Sequence, residues 1–123
     1  MYEVEVVLGF CAAHRLRDYK GKCERLHGHN YRVHVTARSA APGPGGMVID
    51  FGDLKSAANT VLDRLDHSFL NDISPFDRLE PSAENIAAYL YQEIAERLGE
   101  QAHMLHRVSV YESDTSRATF IKD

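Results

Sequence analysis

The chain has 123 residues, of which 44% are hydrophobic and 26% charged. That is enough apolar material for one core, expected as a single domain over 1–123, and too ordinary a balance for disorder. A formal net charge of −4 argues against a general binder of nucleic acid or anionic membrane surfaces, and no apolar run approaches the ~18 residues of a membrane span. Two cysteines make no disulfide framework. Tyr2 to Val7 has strand character, without the basic-then-apolar plan of a signal peptide. A cytoplasmic, reduced protein is expected.

The first strand is predicted from Tyr2 to about Ala13. Val4, Val6, Leu8, Phe10, Ala12 and His14 share one parity, so His14 falls at the end of the apolar face. A loop, Arg15 to Arg25, leads to a second strand over His27–Ser39, in which His27, His29, Tyr31, Val33 and Val35 share a parity. The Pro- and Gly-rich run from Ala41 to Gly46 predicts a turn.

A helix is predicted to start near Asp50 as N-cap, with Leu54, Ala57, Ala58, Val61, Leu62 and Leu65 at helical spacing, and to stop before Asp66-His67. After a polar connection, Ser82 caps a second helix, about Ala83–Leu98, and Gly99 ends it. Two strands remain, about Leu105–Glu112 and Ala118–Lys122, joined by a polar turn. The order ββααββ predicts an α+β fold: a four-stranded antiparallel sheet with two helices on one face. Its other face and its edges need covering, and oligomerisation is one solution.

The chemistry concentrates in Cys23-Glu24-Arg25-Leu26-His27-Gly28-His29. Residues two apart on a strand share a face, so His27 and His29 project together, with Gly28 adding no bulk between them. His14 from the neighbouring strand completes a tripod with an open fourth position, as in a catalytic zinc site. His34 has the opposite parity, and His103 and His106 read as surface residues. Cys23 lies between Lys22 and Arg25 beside the expected metal, surroundings that favour thiolate; Cys11, mid-strand, reads as inert packing or a sheet-face residue. Asp66-His67 is a carboxylate–imidazole pair suited to proton transfer, or simply a helix terminus. Glu112 continues the parity of Val108 and Val110. It is either a solvated strand end or a bidentate acceptor for a planar donor pair.

In this order the motifs resemble the 6-pyruvoyl-tetrahydropterin synthase / 6-carboxy-tetrahydropterin synthase family. They are Phe10 to His14, Cys23 to His29, Ile49-Asp50-Phe51, Leu65-Asp66-His67, Leu70-Asn71, Pro81 to Asn85 and Tyr111-Glu112. The resemblance implies the tunnelling fold (T-fold), whose sheets join into β-barrels, commonly as homohexamers built from two trimers with active sites between subunits. It implies that His14, His27 and His29 hold Zn2+, that Cys23, Asp66 and His67 transfer protons, and that Glu112 anchors a pterin. The implied reaction converts 7,8-dihydroneopterin triphosphate to 6-carboxy-5,6,7,8-tetrahydropterin, acetaldehyde and triphosphate, for queuosine biosynthesis. Glu24 opens an alternative, since some members use a glutamate there to cleave dihydroneopterin to 6-hydroxymethyl-dihydropterin for folate synthesis. A third possibility, of another class, is a zinc- and pterin-binding module without turnover. Many relatives carry threonine where Ser82 stands here; serine keeps the hydroxyl cap.

Overall fold

The computed structural model describes every residue from Met1 to Asp123. Its elements are β1 (Tyr2–His14), β2 (His27–Ser39), α1 (Phe51–Leu65), β3 (Ser68–Phe69), α2 (Ala83–Leu98), β4 (Leu105–Ser113) and β5 (Ser116–Ile121). The sheet order is β3-β1-β2-β4-β5. The expected four-stranded antiparallel sheet is therefore corrected to five strands. β3 pairs parallel to β1 through Ala12–Ser68 and Ala13–Phe69. The cause is the chain's exit from α1, which runs back along the β1 edge, where the His67 N–H donates to Cys11 O at 2.6 Å. Two further residues of ladder satisfy backbone groups that the edge would leave open.

Strand parity sets the faces. In β1, Val6, Phe10, Ala12 and His14 are buried, while Glu5, Val7, Gly9 and Cys11 between them are exposed. In β2, Tyr31, Val33 and Val35 are buried, and His34 turns to the opposite face, where it pairs with Glu5 at 3.0 Å. Both helices cover the buried face. α1 contributes Leu54, Ala58, Val61, Leu62 and Leu65, and α2 contributes Ile86, Leu90 and Ile94. Each such leucine, isoleucine or valine side chain, fully buried, favours the fold by about 1.5–3 kcal/mol.

The helix boundaries follow their caps. The Asp50 carboxylate accepts from Gly52 N–H at 2.6 Å, and the Ser82 hydroxyl accepts from Asn85 N–H at 3.2 Å. Gly99 closes α2 at φ 59°, a conformation that costs glycine little. No helix is long and apolar enough to cross a membrane. The open sheet face carries Val7 and Ile121, each more than half exposed. His106, expected at the surface, lies in β4 with its side chain 12% exposed. Burial, then Arg38 and Arg107, holds its pKa below the ordinary histidine value against the pull of Glu3.

Candidate active site

The hairpin of β1 and β2 builds the tripod. Its register sets His14 opposite His27 and Ala12 opposite His29, so three imidazoles crowd one end of the buried face. His14 Nε2 lies 3.1 Å from His27 Nε2 and 3.2 Å from His29 Nε2. Three nitrogens bound tetrahedrally at about 2.0–2.1 Å from one ion stand about 3.3–3.4 Å apart. Two of the separations thus stand close to those of a bound ion, and all three ligand nitrogens lie within 4.8 Å of one another.

The surroundings select the ligand tautomer. His14 Nδ1 faces Pro81 O at 2.7 Å and His27 Nδ1 faces Arg25 O at 2.8 Å. A carbonyl accepts only from N–H, so both rings carry the proton on Nδ1 and direct the Nε2 lone pair into the tripod. Burial lowers the His29 pKa, His14 and His27 push the same way, and Glu112 and Glu24 oppose them. The net effect favours neutral imidazole, the ligand form. Beneath the tripod Tyr31 is 2% exposed and stacks on Phe10 at 4.6 Å between centroids, with its hydroxyl 3.2 Å from His14 Nδ1. Burial, with smaller contributions from Glu112 and Glu24, raises its phenol well above the ordinary value, so it remains protonated. Tyr31 was legible only as a core position; its parity two residues past His29 was the signal of its place under the metal site.

Glu112 also reaches this end of the sheet, its Oε2 lying 3.8 Å from His29 Nε2. Glu24 is not a loop carboxylate free in water. Its backbone N–H donates to Leu16 O at 2.8 Å, its Oε1 accepts from Leu16 N–H at 3.1 Å, and the same oxygen is 3.9 Å from His27 Nδ1. Cys23 is exposed. It stands between this staple and a tight turn in which Tyr19 and Lys22 exchange backbone hydrogen bonds of 2.7 and 3.1 Å.

Asp66 and His67 follow α1 at the β1 edge. Asp66 Oδ1 accepts from Cys11 N–H at 2.8 Å, and Oδ2 is 2.9 Å from His67 Nδ1. The Cys11 N–H lowers the Asp66 pKa most; burial opposes it and His67 lowers it further. The carboxylate is therefore ionised and holds the His67 proton on Nδ1, leaving Nε2 free. His67 adopts φ 56°, and its side chain is 81% exposed. No hydrogen bond or ion pair joins Cys23 or the Asp66–His67 pair to the tripod within one chain. A shallow cleft of about 380 Å3, lined in part by Cys11, His29, Asn30 and His67, adjoins both groups.

An α+β chain whose first hairpin gathers three imidazoles able to hold a metal, with a carboxylate–imidazole pair at its edge, has the parts of a metal-assisted enzyme. A family model described as 6-pyruvoyl tetrahydropterin synthase matches residues 3–123, and the chain belongs to that family. It is 36% identical to a 6-carboxy-5,6,7,8-tetrahydropterin synthase of Synechocystis, over 98% of this chain and 93% of the relative. It is 34% identical to the 6-pyruvoyl tetrahydrobiopterin synthase of Drosophila melanogaster, over 85% of this chain and 70% of the relative. The structure of Caenorhabditis elegans 6-pyruvoyl tetrahydropterin synthase superposes with a TM-score of 0.88 at 30% identity, covering 99% of this chain and 96% of that one. The chain is an enzyme of this family, a lyase.

Proposed function

We propose that this enzyme is a zinc-dependent lyase converting 7,8-dihydroneopterin triphosphate to 6-carboxy-5,6,7,8-tetrahydropterin, with release of acetaldehyde and triphosphate. The observation that carries the reading is the tripod of His14, His27 and His29, whose ligand nitrogens all lie within 4.8 Å of one another. Three neutral imidazoles suit Zn2+ and leave a position for substrate. The Synechocystis relative, similar over nearly its whole length, favours the 6-carboxy product.

When bound, zinc supplies Lewis acidity that lowers the cost of removing protons beside the substrate's side-chain hydroxyls. The protein's residues do the rest. Cys23, as thiolate, takes a proton from a side-chain carbon. His67, held in one tautomer by Asp66, returns a proton elsewhere. Glu112 accepts from the 2-amino and N3 edge of the pterin as a bidentate carboxylate.

The His67 side chain is 81% exposed and makes no hydrogen bond to its own tripod, which favours action on the site of a neighbouring copy. A barrel of T-fold sheets, closing into a homohexamer of two trimers, would bring such groups together. The uncovered β5 edge, six residues long, and the apolar Val7 and Ile121 on the open face support that assembly. The reading places the enzyme in the cytoplasm, where both free thiols stay reduced, and within queuosine biosynthesis.

Cleavage to 6-hydroxymethyl-dihydropterin through Glu24 is the competing reaction. The hold of Leu16 N–H on the Glu24 carboxylate counts against it, because that oxygen already serves the loop. Incubation of the zinc-loaded protein with 7,8-dihydroneopterin triphosphate, followed by mass spectrometry of the pterin product, tests the proposal. 6-Carboxy-tetrahydropterin with acetaldehyde is the expected result. A 6-hydroxymethyl product would transfer the role to Glu24, and no product from a zinc-bound protein would refute turnover of this substrate.

A further inference from the structure

The backbone that leaves β1 after His14 is gripped by a residue more than sixty positions away. The Glu80 carboxylate accepts from Arg17 N–H at 3.0 and 2.9 Å and from Asp18 N–H at 3.2 Å. The Arg17 guanidinium closes on the same carboxylate at 3.4 Å and donates to the carbonyls of Asn71 and Phe76. The carbonyl of Glu80 accepts from Asn85 Nδ2 at 2.9 Å, inside the first turn of α2. The very next carbonyl, that of Pro81, receives the His14 Nδ1 proton at 2.7 Å.

Glu80 and Pro81 therefore hold His14 twice, the ring through a carbonyl and the following backbone through a carboxylate. Proline has no N–H with which to anchor its own peptide. The place of the Pro81 carbonyl is set by its neighbours, Glu80 before it and the Ser82 cap after it. Burial pushes the Glu80 carboxyl up, but the Arg17 and Asp18 N–H donors and the Arg17 guanidinium outweigh it, so it lies below the ordinary glutamate value and is ionised. Each partner in the Arg17–Glu80 pair is 34% exposed, and an ion pair so placed adds little stability. What three converging N–H bonds and a guanidinium supply is geometry.

We propose that Glu80 is a positioning residue for the metal site: it fixes the Pro81 carbonyl that orients His14, and with the same carboxylate anchors the start of the strap that carries Cys23. The inference rests on His14 as a metal ligand and needs no particular substrate. Partners that orient a metal-binding histidine typically contribute 10–100-fold in metal affinity.

The test loads metal-free protein with Co2+, follows the d–d absorption, and measures Kd by competition with a chelator. For Glu80→Gln, Kd is expected to rise about 10–100-fold and the absorption band to shift, with the far-UV circular dichroism of the metal-free protein unchanged. Glu80→Asp, which keeps the charge, should recover part of the affinity. Glu93→Gln, which breaks the comparable surface pair with Arg97, should leave Kd at the wild-type value. Wild-type Kd and spectrum in Glu80→Gln would overturn the proposal, as would an equal loss in Glu93→Gln. If Glu80→Gln does not fold, Asn85→Ala releases the Glu80 carbonyl and leaves the carboxylate in place. It should weaken Co2+ binding at least threefold, and wild-type affinity there also overturns the proposal. Wild-type protein that binds no Co2+ would overturn the metal reading and this inference together, whereas a wrong substrate would leave every one of these readouts intact.

Discussion

Leu65 offers a way to separate the proton-transfer pair from the metal site. It is the last residue of α1, fully buried, and is followed directly by Asp66 and His67. Leu65→Ala removes three carbons from a site with no solvent exposure. Buried Leu→Ala changes cost about 2.7–5 kcal/mol, more where the cavity cannot collapse. A site between a helix end and a sheet edge relaxes partly, so about 3 kcal/mol is expected. At this chain length each kcal/mol shifts Tm by about 4 °C, giving a fall of about 12 °C. Urea unfolding should show a lower midpoint with an unchanged m-value. His14, His27 and His29 stand on the β1–β2 hairpin, so metal Kd should stay within twofold. Turnover, measured well below the new Tm, should fall about tenfold or more, because His67 loses its footing. A loss under 1 kcal/mol would refute the packing argument. A parallel loss of metal affinity would refute the claim that the two parts are built separately.

Further outcomes follow from single side chains. Cys23→Ala should keep metal and pterin binding and lower turnover by about 10²–10⁴-fold, the usual contribution of a proton-transfer group; turnover at the wild-type rate in a discontinuous product assay would remove Cys23 from the mechanism. Glu112→Gln should weaken pterin binding at least tenfold by titration calorimetry while metal content, read by elemental analysis, stays at one ion per chain. Equal pterin affinity in that variant would leave the anchor unassigned. Asp66→Asn carries a pH signature. A carboxyl whose folded pKa is lowered stabilises the fold fully above its unfolded value, near 3.8, and loses that contribution as pH falls through the lower folded value. The variant should melt below wild type at pH 7, and the gap should close as pH drops below about 3.8. A gap independent of pH would show that the charge is not what Asp66 contributes.

Much of this architecture was legible because it is periodic. The alternation from Val4 to His14 and from His27 to Val35 identified the faces, and it placed the three histidines together once the strands paired. Asp50, Ser82 and Gly99 marked helix ends because their side chains, or the lack of one, meet specific backbone needs. β3 was not legible. Two residues, Ser68 and Phe69, have no period, and their pairing depends on where the end of α1 lands against Cys11. The Pro81 carbonyl and the Glu80 grip were hidden for a related reason, since backbone acceptors leave no mark on composition and their partners lie over sixty residues away. His106 was misread because a polar residue at the start of β4 gives no sign of the neighbours that cover it. The hold on Glu24 was hidden because its partner, the Leu16 N–H, belongs to the opposite side of the strap.

The graded burial of the three tripod imidazoles also has a kinetic meaning. His14 is 2% exposed and its ring is clamped by the Pro81 carbonyl, while the side chains of His29 and His27 are 20% and 36% exposed. Exchange should therefore begin at His27, whose Nδ1 is held by the Arg25 carbonyl in the loop before β2, pass to His29, and reach His14 last. The speed of capture and release would then be governed by the strap that ends at Arg25, and the tightness of binding by the rigid His14 behind it. On-rate and affinity are separate properties of this site, assigned to opposite walls of the same small tripod.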